Sequence, residues 1–338
     1  MPISESLKNT LLSLTKAKSI QQVQVIQEVW GSYGELLRVT LEGGQINSIV
    51  VKFVNTPQPR THPKGWNTQH SHQRKLHSYQ VEANWYKNYA HKLGHQCYVP
   101  RCFAAKSDQQ CYLLVLEDLT DVGYPIVKTT ATVEDVKTCI EWLAHFHAFH
   151  LQASSNEPYI DLWETGTYWH LATRPDELAA LQDMKLKSAA KRIDQILSDS
   201  PFQTLVHGDA KLANFCFSKD SKQVAAVDFQ YVGKGCGMKD LILLISSAIP
   251  PEHCASLQNS LIDYYFACLS QALIETNKPI DPVKLEQAWR PLYAIAWADF
   301  QRFVKGWSPT HWKINDYTEN LTAEAIESLS QFPNKEEV

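Results

Sequence analysis

The sequence predicts an α+β fold, with an antiparallel sheet and a helix in the N-terminal third and a larger, mainly helical part after it. Three runs typical of strands, VQVIQEVW, ELLRVTLEG and INSIVVKFV, follow one another within residues 23–54 and are separated only by short breaks. Later stretches instead repeat their apolar residues at helical spacing. A chain of 338 residues can hold about two domains. We place their boundary after Leu116, giving domains 1–116 and 117–338.

Composition and charge exclude several classes of protein. The formal net charge of −4 gives no basic footprint, so nucleic acid is not an expected partner. The eight cysteines include no Cys-x-x-Cys pair, which favours reduced thiols and a cytoplasmic location. The N-terminal residues lack the apolar segment of a signal peptide, and no apolar run reaches the ~18 residues that cross a membrane. We therefore expect a monomer or homodimer with no membrane partner.

The N-terminal third begins with a helix predicted over 5–17, where leucines recur at helical spacing. The break GSYG at 31–34 is small enough for backbone N–H groups to approach a phosphate, although an ordinary hairpin turn would explain it as well. After the sheet, the polar, proline-containing residues 54–75 predict a long loop. Three histidines of this loop could suggest a metal site, but no cysteine or carboxylate pattern accompanies them: His62, His70 and His72.

Lys52 ends the third strand among apolar neighbours, where an ammonium is costly to bury unless it is paired. An outward-facing lysine on an alternating strand is the simpler alternative. Residues 78–93 have the period of a helix and include Glu82. A helical glutamate packed against this strand would fix the Lys52 ammonium for work on phosphate oxygens.

An apolar strand predicted over 111–116 stops at acidic residues before the long helical part, which is a reasonable boundary between two lobes. Glu117 and Leu119 lie at this point. Backbone groups there could bind an adenine ring, with apolar side chains on both of its faces.

The helical part begins at Thr132, which is a suitable N-cap for a helix that reaches His150. His147 and His150 are spaced to ligate one metal, or else they lie on the core face of this helix. Further helices are predicted over 257–273 and 281–303, and their tryptophans are expected mostly in the core.

Most of the chemistry-bearing residues lie in one stretch, LVHGDAKLANFCFSKDSKQVAAVDFQYVGKGCGMKD, which covers 205–240. Two short apolar runs joined by the polar SKDSK predict a hairpin. Such a hairpin would bring Asp209, Asn214 and Asp228 to one edge of a sheet. Two carboxylates and an amide suit Mg²⁺, which takes a few oxygen ligands and leaves the others to water and phosphates.

The ordered set of motifs resembles the protein-kinase-like phosphotransferases that act on small molecules, the aminoglycoside phosphotransferase and choline kinase superfamily. The wording HGDAKLANF and AAVDFQYVGKGCGMKDL is most similar to the ecdysteroid-kinase-like branch. The resemblance covers nearly the whole chain and implies a bilobal protein-kinase-like fold. It also implies ATP and Mg²⁺ as cofactors and transfer of the γ-phosphate to a hydroxyl group of a small molecule, such as an amino sugar or a choline-like or sterol-like alcohol.

The resemblance implies a role for each matching residue. Asp209 matches the catalytic aspartate that accepts or orients the hydroxyl proton, and His207 would hold its loop. Lys211 has the spacing of a lysine that contacts the γ-phosphate. Asn214 and Asp228 match the metal ligands.

Other matching residues would hold the nucleotide. Lys52 and Glu82 match the ion pair that positions the α- and β-phosphates. The remaining expected nucleotide contacts are the phosphate-covering Gly31, Ser32 and Gly34, and Glu117 and Leu119 after the apolar strand.

Two alternatives stay open beside an active kinase. The first is a catalytically inactive nucleotide-binding or scaffold protein of the same fold, although such a protein would be free to lose these residues. The second is a dinucleotide oxidoreductase, suggested by Gly233-x-Gly235-x-Gly237, but no alternating βαβ pattern surrounds these glycines. The metal turn is Asp-Phe-Gln instead of Asp-Phe-Gly, and no activation segment is visible, so a protein substrate is not expected.

Overall fold

The computed structural model describes residues 3–29, 34–55, 69–107, 111–152 and 158–333. The chain divides into two compact units, of which the first contains Met1–Val127 and Cys216–Gln230 and the second contains Lys128–Phe215 and Tyr231–Val338. A sheet dominates the first unit and helices dominate the second, which confirms the predicted α+β class. The lobe boundary proposed after Leu116 stays a prediction.

The first unit is built on an antiparallel sheet. Its strands are β1 (Ser19–Val29), β2 (Gly34–Glu42), β3 (Ser48–Asn55), β4 (Cys102–Ser107) and β5 (Cys111–Glu117). Within the described residues they lie in the order β1-β2-β3-β5-β4. The predicted meander and the predicted apolar strand are therefore confirmed. The sequence analysis did not predict β4, because its residues are half-buried or exposed without alternation.

Helix α1 (Glu5–Thr15) packs its leucines against one face of this sheet. Leu7 and Leu11 belong to the same apolar cluster as Val39 of β2 and Val51 of β3. The Ser4 side chain caps the helix by accepting the Leu7 N–H. The helix ends at Thr15 instead of 17, because the next residue adopts a left-handed conformation with φ of 56°.

Helix α2 (Gln69–Asn88) begins well before the predicted helix. Residues 69–75, which were expected to belong to a long loop, are helical. The first turns of α2 carry polar residues, of which Lys75 and Ser78 donate hydrogen bonds to Gln230. The sequence therefore shows no apolar period at the start of the helix. The predicted loop residues 56–68, including His62, lie outside the described residues, as does the side chain of His70.

Asp118, just after β5, is hydrogen-bonded to side chains of β2 and β3. Its buried carboxylate accepts hydrogen bonds from Arg38 Nε at 2.6 Å and Ser48 Oγ at 2.7 Å. The Thr120 N–H donates to the same carboxylate at 3.0 Å. Burial alone would raise the pKa of Asp118, but the hydrogen bonds from Arg38, Ser48 and Thr120 lower it below its usual value.

Replacing Asp118 by asparagine should lower the free energy of unfolding at neutral pH by about 1–3 kcal/mol, since the Arg38 guanidinium loses its charged partner. A carboxylate with a depressed folded pKa stabilises fully above its unfolded pKa, and this stabilisation is lost as the pH falls through the folded pKa. The deficit of Asp118→Asn, measured by urea unfolding, should therefore shrink on acidification. Glu324→Gln, at an exposed carboxylate, is the control. Equal stability of Asp118→Asn and the parent chain at neutral pH would contradict the role of Asp118.

The predicted hairpin is present in the first unit. Strands β8 (Phe215–Phe217) and β9 (Val224–Ala226) are neighbours, and β6 (Ile126–Val127) pairs with β8 on its other side. The Ser218 N–H donates to the Gln223 carbonyl at 2.9 Å and closes the turn. The expected meeting of Asp209, Asn214 and Asp228 at one edge stays a prediction.

The second unit is mainly helical. Its helices are α3 (Val133–His150), α4 (Pro175–Ala180), α5 (Met184–Ser198), α6 (Met238–Ala248), α7 (Pro251–Glu275), α8 (Pro282–Trp289), α9 (Leu292–Trp307) and α10 (Asp316–Ser328). A short pair, β7 (Thr204–Val206) with β10 (Gly233–Gly235), accompanies them.

Helix α3 begins as predicted, since Thr132 and Asp135 form a reciprocal capping box. The single helix expected over 281–303 is wrong: the chain forms α8 and α9, which are separated near Pro291. Proline has no N–H to donate and clashes with the preceding turn, so it interrupts a helix. Trp289 and Trp297 are buried, as expected for core aromatics.

All eight cysteines are free thiols. In the part of the chain that the structure describes, no helix is both long enough and apolar enough to cross a membrane.

Candidate active site

The HGD motif directly follows β7 and is held by Asp240, in the first turn of α6. The backbone N–H groups of His207 and Gly208 donate to the two oxygens of Asp240 at 2.5 and 2.9 Å. Gly208 has a φ of 79°, and a Cβ there would lie 2.1 Å from the Tyr231 carbonyl oxygen. Only glycine fits this position. The conformation of the loop before Asp209 therefore depends on the buried carboxylate of Asp240 and on a glycine at position 208.

Asp240 is itself oriented by the core of the second unit. His147 Nε2 lies 3.1 Å from Asp240 Oδ2, and His147 Nδ1 lies 2.8 Å from the Tyr265 hydroxyl. Both ring nitrogens of His147 thus face protein groups, so the alternative of a metal bound by His147 and His150 is not supported. The position of His147 agrees with the other alternative, a place on the core face of α3, but its contact with Asp240 was not predicted.

Four residues singled out by the sequence come together around the Asp209 carboxylate. Asn214 Nδ2 donates to the Asp209 carbonyl at 2.8 Å and to its carboxylate Oδ2 at 3.1 Å. Lys211 Nζ donates to the same Oδ2 at 2.9 Å. The Asp209 N–H donates to His207 Nδ1 at 3.2 Å. The carboxylate is therefore fixed by its own loop, and Lys211 contacts it directly.

The ion pair predicted in the first unit is formed. Lys52 is 9% exposed, and its Nζ lies 2.7 Å from Glu82 Oε2 and 3.4 Å from Asp228 Oδ1. The Tyr112 hydroxyl donates to Glu82 Oε2 at 3.0 Å. Burial alone would lower the pKa of Lys52, but the charges of Glu82 and Asp228 raise it above its usual value. The alternative of an outward-facing lysine is wrong, because the side chain is buried and paired with two carboxylates.

Asp228 has a backbone conformation that is uncommon for a residue with a side chain. Its φ of 68° lies in the left-handed region, and such residues often occur at functional sites. The next residue, Phe229, stacks on Trp85 of α2 with 4.6 Å between ring centroids. The turn is therefore anchored to α2 through the Phe229 ring, while the Asp228 carboxylate faces Lys52.

Gln230, at the position where protein kinases have a glycine, ties Asp228 to α2. Its amide Nε2 donates to Asp228 Oδ1. Its Oε1 accepts hydrogen bonds from Lys75 Nζ at 2.7 Å and from Ser78 Oγ at 3.2 Å. The Gln230 side chain thus bridges α2 and the Asp-Phe-Gln turn, and it restrains the turn by hydrogen bonds that a glycine could not form.

The proposed nucleotide residues are placed as follows. Gly31 and Ser32 lie outside the described residues, and Gly34 begins β2. A Cβ at Gly34 would lie 2.0 Å from the Phe53 carbonyl oxygen, so close strand packing requires this glycine. Glu117 accepts the Tyr98 hydroxyl at 2.8 Å, and Leu119 is buried in a small apolar cluster. Contacts of these residues with a nucleotide stay a prediction.

The donor chemistry of the two proposed metal ligands suits Mg²⁺. Asp228 offers carboxylate oxygens, and the Asn214 NH₂ group already donates to Asp209, so its amide oxygen is the atom suited to a cation. Among the described residues, no group of three or more His, Cys, Asp and Glu side chains is arranged to hold a metal ion.

The glycines that suggested a dinucleotide site have a packing role. Gly233 and Gly235 lie in β10, which pairs with β7. A Cβ at Gly233 would lie 2.3 Å from the Trp163 carbonyl oxygen. Gly237 is the N-cap of α6, and a Cβ there would lie 2.2 Å from the Tyr265 hydroxyl oxygen, so this glycine also serves close packing. No alternating βαβ order surrounds the three glycines among the described residues, so the oxidoreductase alternative is not supported.

No curated protein sequence matches this chain. Among solved structures, an aminoglycoside phosphotransferase from Streptomyces rimosus in complex with ADP and streptomycin shares 13% identity with a TM-score of 0.49, covering 89% of this chain and 99% of that one. An ethanolamine kinase from Plasmodium vivax shares 12% identity with a TM-score of 0.48, covering 92% and 83%. These distant likenesses carry no argument about substrate.

A match to a family model is the decisive comparison. The model of the phosphotransferase enzyme family matches residues 37–274, which include β3, α2, the HGD loop and the Asp-Phe-Gln turn. The expectation of a phosphotransferase is thereby confirmed, whereas the narrower similarity to the ecdysteroid-kinase-like branch stays a prediction. The chain belongs to the phosphotransferase enzyme family.

Proposed function

We propose that this protein transfers the γ-phosphate of ATP, with Mg²⁺, to a hydroxyl group of a small molecule. The observation that carries the proposal is the buried Lys52 ammonium held by Glu82 and Asp228 in a chain of this family. A buried cation paired in this way is pre-positioned for phosphate oxygens. The cytoplasmic location and the ecdysteroid-kinase-like branch belong to the same proposal.

Each residue of the site has a distinct task in this proposal. Lys52 binds phosphate oxygens and does not move on binding, because two carboxylates hold it. Asn214 and Asp228 would hold Mg²⁺, which when bound neutralises phosphate charge. Asp209 accepts the proton of the acceptor hydroxyl, and its loop fixes the direction of the carboxylate. Lys211, which contacts Asp209, orients that carboxylate and lies at the spacing suited to a γ-phosphate contact.

Acidic residues of the second unit could bind a cationic acceptor, but one of the four candidates, Asp299, is paired within the core. Asp299 is fully buried and lies 2.8 Å from Arg302 Nη2, with the Trp169 indole N–H donating to its other oxygen at 3.1 Å. It is thus part of the core of the second unit. The other candidates are exposed: Asp161, Glu164 and Asp176.

A nucleotide-dependent thermal shift tests the proposal. MgATP at about 100 times its dissociation constant should stabilise the chain by about 2.7 kcal/mol. ATP with EDTA should give a smaller shift, because the carboxylate of Asp228 would then face phosphate without a cation. ADP release with a panel of alcohols should follow. Absence of any MgATP shift would contradict the proposal, and a shift without ADP release on any alcohol would favour the inactive nucleotide-binding or scaffold protein.

A further inference from the structure

Lys313 is a buried lysine of the second unit, on the segment between α9 and α10. It is 7% exposed, and its Nζ donates to Ser246 Oγ of α6 at 2.9 Å. The Nζ lies 5.1 Å from the ring centroid of Phe300 and 5.5 Å from that of Trp312. Among the residues that the structure describes, no carboxylate oxygen lies within 4.0 Å of this nitrogen, since Lys313 forms no salt bridge.

The surroundings of Lys313 differ from those of other buried lysines in this chain. Lys52 faces two carboxylates, and the Lys239 nitrogen lies 4.0 Å from Asp299. Burial lowers the pKa of Lys313 to about 7, while the charge of Asp209 acts to raise it and that of Lys211 to lower it. An ammonium buried without a carboxylate is unfavourable unless a ligand supplies the anion.

An aromatic cluster lies between Lys313 and the HGD loop. We call Tyr168, Phe300, Phe303 and Trp307 the aromatic wall; Phe300 and Phe303 are buried, whereas Tyr168 and Trp307 are half-buried. Tyr168 meets Phe303 at 5.5 Å and Phe300 at 6.2 Å between centroids, and Phe303 stacks on Trp307 at 5.7 Å. The Tyr168 N–H donates to the Gly208 carbonyl at 3.2 Å, so the wall meets the chain next to Asp209.

The wall continues toward solvent along the segment that carries Lys313. Trp307 lies 5.7 Å from His311, and His311 stacks on Trp312 at 5.7 Å. Trp312 is 56% exposed, which is unusual for so large an apolar side chain. One segment therefore presents one exposed ring, that of Trp312, and a buried cation, and the wall behind it reaches the HGD loop.

We propose that Lys313 binds an anionic group, a carboxylate or an equivalent oxyanion, on the acceptor alcohol, whose apolar part lies against the aromatic wall. This inference rests on the proposed function of Asp209. The class of acceptor it names is a hydroxylated aromatic or alicyclic acid, in place of a cationic amino sugar or a choline-like alcohol. One N–H of the ammonium is used by Ser246, and an ammonium has three N–H donors, so donors remain for the ligand.

The nucleotide is the other possible source of an anion, but the surroundings favour the acceptor. Phosphate oxygens are strongly hydrated and gain little from aromatic rings, whereas a ring framework gains from both stacking and burial. The nucleotide phosphates also already have Lys52 as their proposed cation. The two sources are separated below by measuring MgATP binding.

The test compares alcohols that differ in one group: para-hydroxymethylbenzoate, its carboxamide and its aminomethyl analogue, with the cyclohexane analogues of all three, and cholate with its carboxamide. Binding to the full chain is measured by calorimetry without nucleotide. On at least one framework the acid should bind about tenfold or more tightly than the carboxamide. Lys313→Met should weaken binding of the acid by about 30-fold or more and leave the carboxamide within about twofold. Lys313→Arg should keep most of the affinity for the acid.

The controls separate recognition from a structural role. Lys278→Met, at a half-buried lysine that donates to the Leu151 carbonyl at 3.0 Å, should leave the preference for acids unchanged. Lys313→Met should be as stable as the parent or more stable, because methionine fills the space without a buried charge. A large loss of stability would make Lys313 structural and overturn the proposal.

Three other results would also overturn it. These are equal or better binding of the carboxamides or amines on every framework, equal weakening of all compounds by Lys313→Met, or loss of the MgATP thermal shift in Lys313→Met. The last result would assign Lys313 to the nucleotide. Failure of the proposed function looks different: the parent chain would show no MgATP shift and no ADP release, whatever its preference for acids.

Discussion

Replacing Asp209 by asparagine should lower turnover by about 10²–10⁴-fold and leave the fold intact. Asparagine keeps the shape and an oxygen that can accept from Asn214 and Lys211, but it has no basic carboxylate to take the proton of the acceptor hydroxyl. The loop itself is held by Asp240 and Gly208, which the substitution does not touch. ADP release with the best alcohol of the panel measures the effect.

The same substitution at an exposed carboxylate provides the control. Asp263 lies 2.8 Å from Arg290 Nη2 in an exposed ion pair, and Asp263→Asn should keep turnover within about twofold. The MgATP thermal shift of Asp209→Asn should also persist, since the variant is expected to lose chemistry and not nucleotide binding. Near-full turnover of Asp209→Asn on the true acceptor would show that another group takes the proton.

The parts of the fold that the sequence predicted correctly have strong local signals. The β1–β3 meander alternates and is punctuated by turns, and α3 begins at a capping box whose two partners are three residues apart. The first turns of α2 and the strand β4 were missed, because polar or half-buried residues carry no period. The interruption at Pro291 was visible in the sequence, and the aromatic period of 281–303 hid it.

The candidate site likewise has contacts that could be predicted from the sequence and contacts that could not. Lys52, Glu82 and Asp228 follow the order of a known set of motifs, so their pairing could be expected before any contact was seen. No local pattern announces that Gln230 bonds to Lys75, 155 residues earlier, or that His147 supports Asp240, 93 residues later. Such contacts depend on the packing of separate elements.

The proposed recognition of the substrate by Lys313 could not be predicted from the sequence either. Lys313 lies outside every motif, and in the sequence it is one lysine in a polar connection between two helices. Lys313 is distinguished by its buried nitrogen, which lies beside the aromatic wall and has no carboxylate partner among the described residues. Burial of this kind cannot be derived from a single residue and its neighbours in sequence. The sequence therefore predicts the catalytic reaction better than it predicts the acceptor.

Lys52→Met should lower the free energy of unfolding by about 3–5 kcal/mol and abolish the MgATP thermal shift. The variant leaves Glu82, which is 2% exposed, as a buried carboxylate without its cation. Urea unfolding measures the stability, and Lys106→Met, at an exposed lysine of β4, should change neither property.

The double variant Lys52→Met/Glu82→Leu separates the two effects, because it removes both charges. It should recover much of the lost stability but none of the MgATP shift.

The pH dependence of the stability gives an independent check. Burial is the main cause that raises the pKa of Glu82, and a carboxyl with a raised folded pKa favours folding below its unfolded pKa and loses that contribution as the pH rises through the folded value. The charge of Lys52 acts to lower the Glu82 pKa, so removing Lys52 raises that pKa further. The stability deficit of the single variant should therefore shrink on acidification, whereas the smaller deficit of the double variant should not. A deficit independent of both pH and Glu82 would mean that Lys52 stabilises the sheet by packing alone.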